Sequence, residues 1–350
     1  MRRLVVLALG LGFVIAAGIV VAQQQGAAPA PWAYGFDSPA PAPGTNPPAA
    51  GGAPGRAPAP GAQAPQAAPD TTQHKLAGSD RSFTLAQVRD AYGPADWFPG
   101  DHPAMPEIVA RGRRDAGIIA CSLCHYPNGK GRPENAGVSG LPVSYFIQTM
   151  LDFKNDQRKS ADSRKANTNR MIAFAKAMTD EEIKVAATYF AAIKWTPWIR
   201  VVEADTVPKT RIAGGMFLAL EGAEAGKEPI GQRIIEMPEK TEETEALRNP
   251  RSGFIAYVPP GSLKKGEALV NNGAGKTTQC AVCHGTNLEG LGPVPGLAGR
   301  SPSYIARQLH DMQLGVRKGT WADLMKPVVA KLTAEDILNI SAYTASRPAR

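Results

Sequence analysis

The chain has 350 residues and a formal net charge of +8, enough length for two compact domains with connectors. Its four cysteines all fall in two pentads, Cys121-Ser122-Leu123-Cys124-His125 and Cys280-Ala281-Val282-Cys283-His284, which excludes a separate disulfide framework. The basic balance admits nucleic acid, a membrane surface or an acidic protein as partner, but no nucleic-acid motif accompanies it, and nucleic acid is set aside.

Met1-Arg2-Arg3 is a short basic start, Leu4 to Val21 is uninterrupted and apolar, and Val20-Val21-Ala22 offers a small-residue cleavage site. Residues 1–22 therefore read as an export signal peptide. The same run is close to the length that spans a bilayer, so an uncleaved anchor stays open, and with it membrane association through the N-terminus. Residues 23–80 are dominated by Ala, Pro, Gly and Gln. Such a segment buries too little apolar surface to offset its ordering entropy and is expected to be a disordered linker. Trp32, Tyr34 and Phe36 interrupt it, with a small local dock as the lesser reading.

Two segments then repeat. Aligning Cys121 with Cys280 sets an offset of 159 (280 minus 121), which also pairs Gly140 with Gly299 and Tyr145 with Tyr304. Apolar residues at helical spacing follow each tyrosine. Further on the offset is 154 (333 minus 179), pairing Thr179-Asp-Glu-Glu-Ile with Thr333-Ala-Glu-Asp-Ile. Each Thr predicts a helix N-cap, and Glu182 or Asp336 completes a capping box. Between the halves, Arg200-Val-Val-Glu, Met216-Phe-Leu-Ala-Leu, Gln232-Arg-Ile-Ile-Glu and Gly253-Phe-Ile-Ala-Tyr-Val are β-prone and broken by Gly and Pro. The expected division is 81–196 for the first domain, 197–261 for a small β-rich connector that braces the two, and 262–350 for the second domain.

The pentads carry the chemistry. Cys-x-x-Cys-His reads as c-type haem attachment, in which two thiols add to the haem vinyl groups and the adjacent His ligates the iron. A dithiol redox pair has no need of that His, and a four-cysteine zinc site needs its pairs close together, whereas these lie 159 residues apart. The expectation is two covalently bound c-type haems, held by Cys121, Cys124, Cys280 and Cys283, with His125 and His284 on iron. A sixth protein ligand closes the iron to substrates, and methionine in that place raises the potential. Met171 and Met325 each lie eight residues before the capping threonine of their half, in a loop before the last helix, and are the candidates. Met150, Met178 and Met312 fall where an apolar helix face places ordinary core residues. His102 is the rival for the first iron; His74 lies in the tail, and His310 aligns with Leu151 on a helix. In the second half the Pro295 carbonyl is expected to orient the proximal His. In the first half Ala136 takes that alignment position, with Pro133 nearby. Residues 111–170 hold eleven Lys/Arg against five Asp/Glu, so the basic excess surrounds the first site. It reads either as a docking face for an acidic redox partner or as ordinary solvated surface.

Cys-Ala-Val-Cys-His-Gly, Pro-Val-Pro-Gly-Leu-Ala-Gly, Tyr304-Ile-Ala-Arg-Gln-Leu, Met325-Lys-Pro and Leu-Thr-Ala-Glu-Asp-Ile resemble class I cytochrome c domains. The tandem arrangement is similar to the two-domain dihaem cytochromes of the cytochrome-c-four kind, over roughly 105–195 and 262–348. The first half departs at Tyr126, where Gly is usual. The resemblance implies a mainly α fold of two tandem domains, His/Met ligation, and single-electron transfer between periplasmic or membrane-linked redox proteins. It also implies that the helix begun by Gly266-Glu-Ala-Leu-Val crosses the final helix near Tyr343. The alternative within the same chemistry is the cytochrome subunit of a periplasmic dehydrogenase or oxidase complex. A dihaem peroxidase would need an open or bis-His iron, which the two methionines disfavour.

Overall fold

The structure is a computed structural model and describes residues 30–40 and 71–348. The signal segment 1–22 and most of the Pro/Ala/Gly-rich stretch lie outside the described residues. Two helical units flank a β-rich segment.

In the first unit the long helices are α1 (Val143–Lys154), α2 (Ala166–Ala177) and α3 (Asp180–Ala191). Thr179 caps α3 through Glu182 N while the Glu182 carboxylate accepts from Thr179 N, so two orphan donors of the first turn are satisfied. The inward faces of α1 and α3 bury Met150, Phe153, Ile183, Ala186 and Phe190 against Ile108, Val109 and Ile118.

The middle segment holds a three-stranded sheet of β1 (Ile199–Glu203), β2 (Ile235–Pro238) and β3 (Phe254–Val258). β3 is central, parallel to β1 with Ile199 opposite Phe254, and antiparallel to β2 with Ile235 opposite Tyr257. A parallel pair needs a long crossover. The excursion between β1 and β3 supplies it and adds short antiparallel pairs at Thr206–Pro208 with Lys227–Pro229, and Thr210–Ala213 with Met216–Ala219. Phe254, Ala256 and Val258 alternate inward along β3, as period two requires.

The second unit is built on α4 (Ser262–Asn272), α5 (Pro302–Gln313) and α6 (Ala334–Ser346). α4 packs closely on α6 at Gly266. A Cβ there would lie 2.7 Å from Tyr343 Cβ and collide with the Asn339 carbonyl oxygen, so only glycine permits this crossing. Thr333 and Asp336 form the second capping box. β2 reaches this unit through Glu236, whose Oε2 accepts from Ser301 Oγ at 2.7 Å and Ser303 N at 3.2 Å at the start of α5.

Two expectations need correction. The stretch 23–80 is not structureless where it is described. Pro31–Tyr34 forms a 3-10 turn closed by Gly35 in the left-handed region, with Trp32, Ala33 and Tyr34 buried. Tyr34 Oη donates to Asp311 Oδ1 at 2.8 Å, Arg307 donates to the Ala33 carbonyl at 2.6 Å, and Lys165 Nζ donates to the Tyr34 carbonyl at 3.2 Å. Two aromatic side chains and three polar contacts outweigh the ordering cost that composition alone suggested. Residues 74–75 and 82–83 pair as a short hairpin. Second, Met171 lies inside α2 rather than in a loop, because Arg170, Met171, Ala173, Ala175, Lys176 and Ala177 favour helix and outweigh the weaker Asn167, Thr168 and Asn169. Met325 does end a 3-10 turn, Asp323–Met325.

Candidate metal centres

Each pentad forms one short helical turn at the wall of a cleft. The first cleft encloses about 1310 Å³, solvent mouth included, and brings Cys121, Cys124 and His125 together with Met171 under an apolar roof that includes Phe146, Phe153 and Phe190. The second encloses about 1760 Å³ and brings Cys280, Cys283 and His284 together with Met325 among Leu297, Leu309 and Ile340. No disulfide joins any of the four cysteines.

The imidazoles are set for a metal. His125 Nδ1 lies 2.9 Å from the Ala136 carbonyl oxygen and His284 Nδ1 lies 2.8 Å from that of Pro295. A carbonyl only accepts, so the proton sits on Nδ1 and Nε2 keeps its lone pair for the iron. Burial pushes both rings below the usual histidine range, with the carbonyl contacts opposing it, and both stay neutral. The first half therefore manages without proline at the supporting position, because the acceptor is backbone. Pro133 serves elsewhere: its carbonyl accepts from Arg307 at 2.8 Å. Among the described residues no group of three or more His, Cys, Asp or Glu is placed to hold a bare metal ion.

The other histidines stand apart from the clefts. His102 is engaged by the Pro103 carbonyl at 2.8 Å and Asp96 Oδ1 at 3.2 Å and does not line the first cleft. His74 sits in the hairpin. His310 is fully buried on α5 outside the second cleft, and burial pushes its ring down to about 4.

The two clefts share a wall that the sequence reading did not anticipate. Leu141, Tyr145, Thr149, Tyr304 and Gln308 line both. Arg158 donates to Tyr304 Oη at 3.0 Å and Arg317 to Tyr145 Oη at 2.9 Å, while both arginines donate to Gln308 Oε1, at 2.9 and 2.8 Å. Arg158 and Arg317 obey the same offset of 159 (317 minus 158) as the cysteines, so the wall has approximate two-fold symmetry. Burial alone would push Tyr145 up, but Arg317 and Arg158 outweigh it and bring the phenol down to about 8.

The local basic excess is largely engaged inside the protein. Arg113 pairs with Glu182 at 2.8 Å, Arg132 with Glu134 at 2.6 Å and Arg164 with Asp162 at 2.7 Å, while Arg158 and Lys165 are buried. Burial brings Lys165 down to about 7.

No family model matches the chain. Cytochrome c-554(548) of Halomonas halodenitrificans is 41% identical over 76 residues, 21% of this chain and 92% of that one. Cytochrome c4 of Stutzerimonas stutzeri is 30% identical over 162 residues, 40% of this chain and 76% of that one. The thiosulfate dehydrogenase electron acceptor of Stutzerimonas stutzeri is 24% identical over 245 residues, 69% of this chain and 84% of that one.

Proposed function

The chain belongs to the two-domain dihaem class I c-type cytochromes of the cytochrome c4 kind and transfers electrons through two covalently bound c-type haems, and from that premise we propose the residues and partners that make it work. The two haem domains are 81–196 and 262–350, joined by the connector 197–261. Cys121, Cys124, Cys280 and Cys283 form the thioethers. His125 with Met171, and His284 with Met325, would ligate the two irons. The observation that supports the ligand reading is that each cleft lining holds, with its pentad, the methionine eight residues before the capping threonine: Met171 beside Met150 and Met178 in the first, Met325 beside Met312 in the second.

Bound in these clefts, each haem would supply a one-electron iron couple. The rest is done by the chain. The Ala136 and Pro295 carbonyls hold the imidazoles in one tautomer and raise their basicity. The apolar linings exclude water and set the potential by burial. The tyrosine–arginine wall joins the two clefts through one set of hydrogen bonds, which would hold the two haem-binding units in a fixed relation.

The protein is an electron carrier in the periplasm, serving a dehydrogenase whose electrons it accepts. The extensive similarity to the thiosulfate dehydrogenase electron acceptor supports this reading. The net charge of +8 supports an acidic partner, approached by long-range attraction that weakens with salt. Among the described residues no helix is long and apolar enough to cross a membrane; attachment through the N-terminal apolar run would make the same protein a tethered subunit of its dehydrogenase.

Replacing Met171 or Met325 by Ala tests the ligands. Each variant is expected to lose about half of the weak red absorption band of Met-ligated ferric haem. Wild-type spectra from both variants would refute the assignment.

A further inference from the structure

One side chain of the middle segment brings a charge to the first attachment turn. Arg248 donates to the Leu123 carbonyl, the backbone group next to Cys124, and stands over the Tyr126 ring at 5.6 Å. The loop that delivers it is fixed on both sides. Trp97 Nε1 donates to the Leu247 carbonyl at 2.8 Å, Asn249 Nδ2 donates to Glu243 Oε2 at 2.7 Å, and the Pro250 carbonyl accepts from Asn128 Nδ2 at 3.0 Å. Both members of the contact occupy backbone conformations that favour glycine, with φ of 53° at Arg248 and 61° at Tyr126. The second pentad is followed at the same place by Gly285. Strain accepted at two bulky residues to bring them together points to a use for their side chains.

The charges around Cys124 do not cancel. Arg248, Arg170 and Arg132 act on its thiol in one direction and Glu134 in the other. Arg132 pairs with Glu134 at 2.6 Å, so those two offset each other. Arg170 is exposed, where water and salt screen it. Arg248 is half-buried, and the carboxylate that acts on it is the same Glu134, already engaged. Burial pulls the Arg248 guanidinium below its ordinary range, yet a guanidinium keeps its proton at every working pH. One net positive charge is left against the turn that carries Cys124.

We propose that Arg248 is a fixed cation that raises the reduction potential of the first haem. A macrocycle joined to Cys124 is tied to the turn that Arg248 touches. Reduction adds one electron and lowers the charge of the site by one, a change that a cation held nearby in poorly screened surroundings favours. The middle segment then tunes a centre as well as bracing the two units. The proposal rests on haem attachment at this pentad, and neither on Met171 nor on any partner.

The test is a spectroelectrochemical titration of the holoprotein at low and high ionic strength. Arg248→Gln keeps a donor for the Leu123 carbonyl and removes the charge. It should lower the ferric-to-ferrous equilibrium constant of one couple about tenfold, ~59 mV for one electron, and leave the other couple, the haem content and the red band as in wild type. The shift should persist at high salt, because a partly buried charge is screened little. Arg248→Lys keeps the charge and should recover most of the potential. Arg114→Gln removes an exposed charge and should move neither couple by more than about twofold. An unmoved couple in Arg248→Gln, or equal shifts of both couples, would overturn the proposal. So would haem loss from Arg248→Gln, or an equal fall in Arg248→Lys, since either would make the arginine a clamp on the loop. Wild-type protein that takes up one electron rather than two would instead count against the two-haem reading itself.

Discussion

Tyr34→Phe should loosen the N-terminal strap without unfolding either haem domain. The Asp311 carboxylate is a junction: Oδ1 accepts from Tyr34 Oη and from Ala161 N, both at 2.8 Å, joining strap, first domain and α5. Burial pushes Asp311 up and these two donors pull it back. Burial, reinforced by Asp311, pushes the Tyr34 phenol far above its ordinary range, so it is a donor at every working pH. Removing that hydroxyl takes one hydrogen bond from a buried carboxylate, worth about 1.5–3 kcal/mol. Local opening of the strap should become easier by a factor of about 10 to 150. Hydrogen exchange reads this at the Ala33 and Gly35 amides, which donate to the Ala30 and Trp32 carbonyls. Protection there should fall by that factor while the α3 and α6 amides keep theirs. Unchanged protection at Ala33 and Gly35 would refute the claim that Tyr34–Asp311 ties the strap down. A uniform loss across both domains would refute its local character.

Glu236 supplies a pH test, because burial pushes its carboxyl from 4.5 up to about 7 against the hydrogen bonds from Ser301 and Ser303. The native state keeps a proton that the unfolded chain releases, so stability falls as pH rises from 4.5 to 7, by roughly 3 kcal/mol, and levels off above; Glu236→Gln should remove that slope in unfolding titrations at pH 4.5 and 7. Gly266→Ala improves helix propensity by about 1 kcal/mol yet should destabilise the second domain by about 1–3 kcal/mol, because its Cβ meets Tyr343 and Asn339; a raised melting temperature would contradict the close crossing.

What the sequence discloses here depends on whether the signal is local. The pentads and the capping threonines are short motifs in which each residue acts on its neighbours, and Thr179 and Thr333 do cap their helices. The order at Pro31 to Phe36 is hard to see in the sequence because this compact aromatic unit is set in a stretch whose average composition says linker, and composition averages conceal such units. The supporting contact to His125 is harder to read, because its acceptor is the carbonyl of Ala136 rather than of a proline and depends on loop shape. Met171 lines the first cleft from within a helix rather than from the expected loop, since the spacing of the repeat says nothing of the backbone that carries a residue. The wall of Tyr145, Tyr304, Arg158 and Arg317 respects the repeat offset, but only packing of the two halves reveals that each arginine serves the other half's tyrosine.

We propose two closed, Met-ligated haems working as one-electron couples. A spectroelectrochemical titration of the holoprotein, repeated under carbon monoxide, tests it most directly. The account predicts two electrons per chain, the red band rising with ferric haem at both centres, and no ferrous carbon monoxide adduct at neutral pH. An adduct at either haem, or a centre that titrates without the red band, would contradict it.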